Sequence, residues 1–383
     1  SGVHGSPLGE NEFELFLDNI GFSGDPFIHD SEIYSYFDEK RENDNSKFDE
    51  WKANLKSKLQ SDKNFRQLWN QFNNFETSAV ELEWSSDEAS RVVGGKILNE
   101  YGLSNKFIIG GSADLAASTK QIISDNTFGS NNFGGNSIEF GIREHAMGGI
   151  VNGLALHSNL IPYGSTFLVF SDYMRPSMRL ASLMNVNSLF IFTHDSIYLG
   201  EDGPTHQPIE HLMSLRLIPN LDVIRPSNSM ELIHSYRYAL EKRDNPKAII
   251  LSRQNMKFFD NDVSYKDFQT GAYEFMPGKD ITLVATGSEL ELAFEISKNL
   301  KDLSVQIISA PILNKINKEK IESLNLNQNI FTLELGRSIG WDSYIENITR
   351  SFSIDSFGES APIEELTERS VSYTHLRAHE TVH

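Results

Sequence analysis

The sequence predicts an α/β protein with two successive domains, each built on a mainly parallel sheet. Two observations predict this fold class. Short apolar runs typical of buried strands alternate with amphipathic stretches typical of helices, as in sheets whose parallel strands are joined by helical crossovers. The alternation fills residues 85–258 and begins again in residues 270–366. A length of 383 residues provides enough buried surface for more than one core.

The first 84 residues predict no core of their own. They begin with a short segment rich in Gly, Pro and His that contains His4, and they continue as a polar, acidic stretch with little apolar content. Helix-like patches occur at Asp49–Leu59 and Asn64–Phe75. We interpret residues 1–84 as the end of a preceding domain together with a linker.

Residues 85–258 predict the first complete domain. Ser86 and Asp87 are suited to cap a helix that Gly102 would end, and the apolar face of this helix would contain Ala89, Val92, Val93, Ile97, Leu98 and Tyr101. Further helices are predicted at Glu144–Leu156 and Met230–Leu240. The predicted strands are Phe107–Ile109, Ile138–Phe140, Ser188–Phe192, Leu221–Ile224 and Lys247–Leu251.

Residues 270–366, after a linker at 259–269, predict the second domain. Its predicted strands are Ile281–Ala285, Val305–Ile308 and Ile330–Leu333. Ser288 and Glu291 have the spacing of a capping box on the helix that follows the first of these strands. The last 17 residues, 367–383, have no clear period, and we interpret them as a foreign tail rather than as a C-terminal helix.

Composition limits the partners of the chain. The formal net charge of −19 should repel nucleic acid and anionic lipid, so a phosphorylated ligand would need a local cluster of Arg and His. No apolar run approaches the roughly 18 residues of a membrane span, and the first residues do not have the pattern of a signal peptide. The absence of cysteine excludes disulfides and cysteine metal sites, and it fits a reducing compartment.

The densest polar cluster is the loop at residues 193–208. It follows a predicted strand, at the edge where parallel sheets form binding crevices, and Pro204 and Pro208 exclude a helix. Two His and three carboxylates in this loop suit a site for sugar hydroxyls and proton transfer. A metal site and a plain polar surface loop are the alternatives.

Several motifs in this order along the chain resemble those of transketolases. Besides the loop at 193–208, the resemblance rests on Gly110–Leu115, Gly141–His145, Ser165–Phe170, Ile224–Pro226, Leu251–Asn255 and Phe357–Pro362. The resemblance covers about residues 1–366. It implies a thiamine-diphosphate pyrimidine-binding fold, then the transketolase C-terminal fold, with most of the N-terminal diphosphate-binding domain missing.

The resemblance also implies an activity. Transketolases (EC 2.2.1.1) reversibly transfer a two-carbon ketol unit from a ketose phosphate to an aldose phosphate, through a thiamine-bound dihydroxyethyl intermediate, in the pentose phosphate pathway and the Calvin cycle. The implied cofactors are thiamine diphosphate and Mg²⁺ or Ca²⁺, with the metal ligands in the upstream domain and none in this chain. The implied assembly is a homodimer with active sites at the subunit interface, in the cytoplasm or in a plastid.

Site residues follow from the matching motif positions. Glu144, at the start of a partly apolar helix, can be buried, and burial favours the protonated form of its carboxyl group. As the Glu of the Arg-Glu pair it would hydrogen-bond the cofactor's pyrimidine and so promote its imino form. Without the resemblance, an ordinary helix-start Glu favoured by the dipole is the better interpretation. The implied catalytic residues are Glu144, His206 and His4. The implied cofactor contacts are Glu144, Phe167, Phe170, Tyr173, Asp114 and His4. The implied substrate contacts are Arg91, Ser118, His194 and Arg253 for the terminal phosphate, and Asp202 and His206 for the hydroxyls.

Other readings stay open on the sequence. Dihydroxyacetone synthase shares most of the cofactor motifs, whereas deoxyxylulose phosphate synthase should differ in the loop at 193–208. A non-catalytic dimerisation or regulatory module would have no need for Glu144, Asp202 and His206 together. The chain could also be the natural second subunit of a split enzyme, although a fragment fits better, and we expect such a fragment to be inactive by itself.

Overall fold

The computed structural model describes residues 4–74, 80, 86–123, 126–259 and 263–369, in two compact units, residues 1–70 and 71–383. The predicted helix end at Phe75 and most of the predicted tail lie outside the described residues. No helix in the described part is long and apolar enough to cross a membrane.

The first unit is helical. Its helices are α1 (Glu10–Asn19) and α2 (Ser31–Ser61), and α3 (Lys63–Asn74) begins in it and ends in the second unit. The two predicted helical patches fall within α2 and α3. None of the residues in these three helices is buried, as the thin apolar content predicts.

The second unit contains two sheets, and the first is a six-stranded parallel sheet. The strands of this sheet are β2 (Ile108–Ser112), β3 (Ser137–Glu139), β4 (Ile161–Phe167), β5 (Leu189–Thr193), β6 (Asp222–Ile224) and β7 (Lys247–Leu251). The helices of this domain are α4 (Ser90–Ser104), α5 (Ala116–Thr119), α6 (Glu144–His157), α7 (Ser171–Leu183), α8 (His211–Arg216) and α9 (Ser229–Glu241). Two short strands, β1 (Glu88–Ala89) and β8 (Asn255–Met256), form a separate pair. The strand order is β3-β2-β4-β5-β7-β6, and every neighbouring pair is parallel.

Helices cover both faces of this sheet, which explains why its central strands are buried along their whole length. Every residue of β4 and β5 is buried. One core joins the sheet to α4 and α9, through residues such as Ile97 and Leu232. The other joins it to α6 and α7, through residues such as Met147 and Met178. The chain therefore forms the three-layer α/β arrangement that its alternating pattern predicts.

The second sheet has five strands. Its elements are α10 (Tyr265–Phe268), β9 (Tyr273–Met276), β10 (Ile281–Ala285), α11 (Glu289–Asn299), β11 (Val305–Ser309), α12 (Lys318–Ser323), β12 (Asn329–Leu333), β13 (Ile348–Phe352) and α13 (Ile363–Arg369). The order is β13-β12-β10-β11-β9, and only the edge strand β9 runs antiparallel to its neighbour. The predicted fold class, with two successive and mainly parallel α/β domains, is confirmed.

The predicted start of the first helix is wrong. Ser86 and Asp87 do not cap it; α4 begins at Ser90, and the Asp87 carboxylate instead accepts a hydrogen bond from the Phe258 backbone N–H at 2.8 Å. Gly102 lies inside the helix rather than ending it. A Cβ there would lie 2.2 Å from the Ile123 side chain, so this glycine allows close packing.

The predicted capping box on α11 is also wrong. Ser288 occupies the N-cap position but has helical backbone angles, and its hydroxyl donates to Glu289 Oε1 at 2.7 Å rather than accepting from the backbone. The reason is tertiary, because the Glu289 carboxylate is buried in an ion pair with Arg225.

Candidate active site

The candidate site lies at the carboxyl edge of the six-stranded sheet. Asp114 follows β2, Phe167 ends β4, His194 follows β5 and Arg253 follows β7. Because these strands are parallel and adjacent, residues far apart in the sequence meet at one edge. The prediction that the polar loop at 193–208 follows a strand to this edge is confirmed.

A cavity of about 500 Å³ opens at this edge. The residues that line it are Ala113, Asp114, Leu115, Ile142, Glu144, Phe167, Phe170, Tyr173 and His206. Six of these nine were predicted as catalytic or cofactor-binding residues. The sequence therefore identified most of the residues that line one cavity.

Aromatic rings form one wall of the cavity. Phe167 and Phe170 stack with ring centroids 5.8 Å apart and planes 8° apart. Tyr173 is 6.1 Å from Phe170 and 65% exposed, so it lies at the rim. His206 meets Phe170 edge-on at 5.6 Å. Such a wall suits contact with a flat heterocycle.

Glu144 contributes a carboxylate to the same cavity. It is the first residue of α6, where the helix dipole favours a negative charge. The sequence predicts a buried Glu144, but within this chain it is only half-buried. The cavity is open on this side, since the neighbouring lining residue Ile142 is 79% exposed.

His194 is buried behind the aromatic wall. It is 4% exposed, its ring lies 3.7 Å from that of Phe167, and its Nδ1 lies 2.8 Å from Thr193 Oγ1. Burial, and then the charges of Arg91 and Arg253 and that of His206, lower the pKa of His194 to about 3. The imidazole is therefore neutral at pH 7.

Two arginines, Arg91 and Arg253, form a cationic cluster beside the neutral His194. The Arg91 guanidinium donates to the Ser118 carbonyl, and burial followed by the charge of Arg253 lowers the Arg91 pKa. Arg91 Nε is buried without a hydrogen-bond partner, and within the described residues neither arginine forms an ion pair. Positive charges held together without a carboxylate suit an anionic ligand.

Not every predicted site residue joins these groups. Asp202 is exposed in the loop before His206 and does not line the cavity. Ser118 is half-buried, and it meets Arg91 through its backbone carbonyl rather than its hydroxyl. His4 is exposed in the first unit. The roles of these three residues stay predictions.

Sequence reasoning missed two threonines. Thr193 Oγ1 lies beside His194 Nδ1, and Thr205 Oγ1 lies 2.9 Å from His206 Nδ1. Each fixes one ring nitrogen and leaves the other for a ligand. The Thr-His dipeptide occurs twice in the loop, and this repetition was the available signal.

The metal-site reading of the loop at 193–208 finds no support in the described part of the chain. Among the described residues, one group of His and carboxylate side chains has its ligand atoms close enough together for a metal ion. This group consists of Asp172, Glu210 and His211, and none of them lies in the loop. His194 and His206 instead direct their rings at the aromatic wall.

Comparison with known proteins gives consistent matches over both domains. Residues 89–258 match the family model for the transketolase pyrimidine-binding domain, and residues 271–371 match the transketolase-like C-terminal domain. Over 96% of its length the chain is 36% identical to the transketolase of Staphylococcus aureus (strain MRSA252), of which it spans 59%.

Solved structures agree with these matches. The transketolase of Leishmania mexicana superposes with a TM-score of 0.90 and 29% identity, over 98% of this chain and 58% of that one. The transketolase of Pichia stipitis in complex with sedoheptulose-7-phosphate gives a TM-score of 0.89 and 29% identity, over 99% of this chain and 59% of that one.

Proposed function

The chain belongs to the transketolase family, as the C-terminal part of such an enzyme, and we propose that it supplies the pyrimidine-binding and sugar-phosphate-binding half of a ketol-transfer site. The observation that carries this proposal is the common cavity of Glu144 and the wall of Phe167 and Phe170, next to two arginines that form no ion pair with any described carboxylate. The reaction would be reversible transfer of a two-carbon ketol unit from a ketose phosphate to an aldose phosphate.

The cavity fits the aminopyrimidine half of thiamine diphosphate. Its volume of about 500 Å³, its stacked phenylalanines and the half-buried carboxylate of Glu144 match a flat ring with a hydrogen-bonding nitrogen. When bound, this cofactor supplies the carbanion that adds to the ketose carbonyl. Glu144 would hold a proton at the pyrimidine nitrogen, and Phe170 and Tyr173 would exclude water from the ring.

The cationic cluster would bind the terminal phosphate of the sugar. Arg91 and Arg253 supply charge, and when the Thr193 hydroxyl donates to His194 Nδ1, Nε2 keeps its proton and can donate to a phosphate oxygen. A neutral His194 costs less to bury than a third cation. The Pichia stipitis transketolase in complex with sedoheptulose-7-phosphate supports this substrate class.

The sugar hydroxyls would meet the far side of the cavity. His206 lines it with one ring nitrogen fixed by Thr205, so the other can hydrogen-bond a hydroxyl and relay its proton. Asp202 would join it on substrate binding, and His4 would act near the reacting carbon. We assign no Mg²⁺ or Ca²⁺ ligand to this chain, and the ion and the diphosphate would be bound by residues outside it.

A homodimer is part of the proposal. Helices α6 and α7, together with Met184 directly after α7, carry large apolar side chains that remain exposed in the isolated chain, which is typical of surfaces that another subunit covers. These residues are Ile150, Leu156, Leu180, Leu183 and Met184. We also propose that the chain by itself, spanning 59% of the length of its relatives, has no turnover.

Substitution of the carboxylate tests the proposed role of Glu144. In the enzyme completed with its upstream domain, Glu144→Gln should lower kcat by roughly 10²–10⁴-fold, the usual contribution of a positioned proton-transfer group. Glu139→Gln is the matched control, because Glu139 is exposed at the end of β3 and does not line the cavity. Wild-type turnover by Glu144→Gln would contradict the proposal.

A donor screen tests the substrate class. Arg91→Gln should raise KM for a phosphorylated ketose by about tenfold, the loss of one charge-assisted hydrogen bond, and leave KM for hydroxypyruvate unchanged. Equal effects on both donors would argue against a phosphate site. Formaldehyde as the preferred acceptor would instead indicate dihydroxyacetone synthase.

A further inference from the structure

We propose that Asp195 and Arg225 are positioning residues, through which the second α/β domain fixes the position of His194 beside the cationic cluster of Arg91 and Arg253. We call Asp195, Arg225 and Glu289 the domain latch. The inference rests on the proposed function, in which His194 binds the substrate phosphate, and it adds a task for the second domain, none of whose described residues lines the cavity.

The latch begins at the residue after His194. His194 has a left-handed backbone with φ of 60°, a conformation that a non-glycine residue keeps only when its surroundings fix it. Asp195 is buried, and its Oδ2 accepts from Arg225 Nη2 at 2.8 Å and from Nε at 3.1 Å. Two charge-assisted hydrogen bonds to one carboxylate oxygen therefore hold the Asp195 side chain against Arg225.

Arg225 is held in turn by the second domain. It is completely buried, and its guanidinium donates to the Glu289 carboxylate and to both oxygens of Thr286, at 3.0 and 3.1 Å. Its backbone N–H donates to the Pro311 carbonyl at 2.8 Å, and its carbonyl accepts from the Gly287 N–H at 3.1 Å. Backbone and side chain are therefore both anchored to the second sheet.

The turn after β10 is shaped around this guanidinium. Gly287 has φ of 54°, and a Cβ at this position would lie 2.7 Å from Arg225 Cγ and Nε. Glycine is thus required twice, for its backbone conformation and for the approach of the arginine.

Charge balance indicates that Asp195 does more than neutralise Arg225. Burial opposes the charge on Arg225, but Glu289 and then Asp195 outweigh it and raise its pKa. One carboxylate would already balance one guanidinium, and Asp195 Oδ1 stays buried without a hydrogen-bond partner. Burying Asp195 as a second carboxylate with one unpartnered oxygen costs stability. We infer that this cost is tolerated because Asp195 holds the adjacent residue, His194, in position.

Two variants of the chain separate positioning from general loosening of the domain contact. Asp195→Ala removes the link to His194 and leaves Arg225 paired with Glu289. Asn314→Ala is the control, since Asn314 joins the same two domains through the Leu221 carbonyl at 2.6 Å and the Val223 N–H at 3.2 Å but touches neither Asp195 nor His194.

The readout is the His194 imidazole signal in NMR spectra of ¹⁵N-histidine-labelled chain, assigned with His194→Gln, before and during titration with inorganic phosphate. We expect Asp195→Ala to shift the ligand-free His194 signal and to weaken phosphate binding by about tenfold, while Asn314→Ala matches the wild type. An unchanged ligand-free signal in Asp195→Ala, or an equal change in Asn314→Ala, would overturn the latch.

The same experiment keeps the two proposals apart. If phosphate does not change the His194 signal of the wild type, the proposed phosphate role of His194 is refuted. The comparison of the ligand-free His194 signals of wild type, Asp195→Ala and Asn314→Ala would still test the latch. If Asp195→Ala does not fold, Asp195→Asn, which keeps the shape and removes the charge, is judged by the same two signals.

Discussion

His194 shows how one location fixes the charge of a side chain. It is buried against Phe167, and Arg91 and Arg253 repel a proton from its ring. Together these effects depress its pKa to about 3, far below the ordinary value of 6.5. The residue is therefore neutral in the folded state, and between about pH 3 and 6.5 the unfolded chain binds a proton at His194 that the folded chain does not.

This difference predicts a pH dependence of stability. Because the folded pKa of His194 is depressed, its contribution is complete above pH 6.5 and is lost as the pH falls toward 3. Each pH unit in this window costs about 1.4 kcal/mol. Between pH 7 and 5, the wild type should thus lose up to about 2 kcal/mol relative to His194→Gln, measured by urea unfolding.

The control for this prediction is His157→Gln, which removes an exposed histidine of the same domain. Its stability should follow that of the wild type from pH 7 to 5. If His194→Gln also followed the wild type, the depressed pKa of His194 would be wrong.

At the scale of elements, α6 carries the catalytic candidate and must lie close to α7. Gly148 makes this approach possible, since a Cβ there would lie 2.8 Å from Ser177 Cβ. The next residue, Gly149, has open space at the same position. Adjacent glycines in one helix therefore serve different purposes.

We predict opposite effects of alanine at these two positions. Gly148→Ala should destabilise the chain by about 1–3 kcal/mol, because it forces α6 and α7 apart. Gly149→Ala should stabilise it by up to about 1 kcal/mol, since alanine is the better helix former. Urea unfolding of the monomeric chain measures both, and equal losses would contradict the packing argument.

At the scale of the whole second unit, buried ion pairs join the two sheets. Arg216, at the end of α8, forms a bidentate pair with Glu334 at 2.7 Å for both contacts. Burial alone would raise the Glu334 pKa, but Arg216 and then Arg225 outweigh it and lower it to about 2. Trp341 adds a hydrogen bond at 3.1 Å. The two domains thus share one polar network.

Breaking this pair should be costlier than replacing it. Glu334→Gln leaves Arg216 buried without its counter-charge and should cost about 3–5 kcal/mol. Adding Arg216→Met should recover part of that loss, as measured by urea unfolding. The control Glu359→Gln breaks the exposed pair with Arg369 and should cost less than about 1 kcal/mol. A double variant less stable than Glu334→Gln would contradict this account.

The sequence determined several of the buried strands and six of the nine residues that line the cavity. Buried strands such as β7 and β10 have the predicted bounds, because their apolar runs are local. Residues after predicted strands, such as His194 and Arg253, could be predicted to share one edge, because parallel strands bring their carboxyl ends together. The strand β4, which ends at Phe167, was not predicted, because its sequence mixes apolar residues with Pro, Gly, Ser and Thr. Motif matches extended this to Glu144, whose position alone would also suit an ordinary helix start.

Only the tertiary structure decided the rest. The true start of α4, the use of Glu289 in an ion pair and the latch all depend on contacts between residues that no local pattern connects. Arg91 and Arg253 come close to each other because the backbone N–H of Arg91 donates to the backbone carbonyl of Ser252. These two residues are more than 160 positions apart in the sequence. The period of the apolar residues indicates which face of an element is buried. Strand order and domain packing determine which residues that face and its charged groups contact.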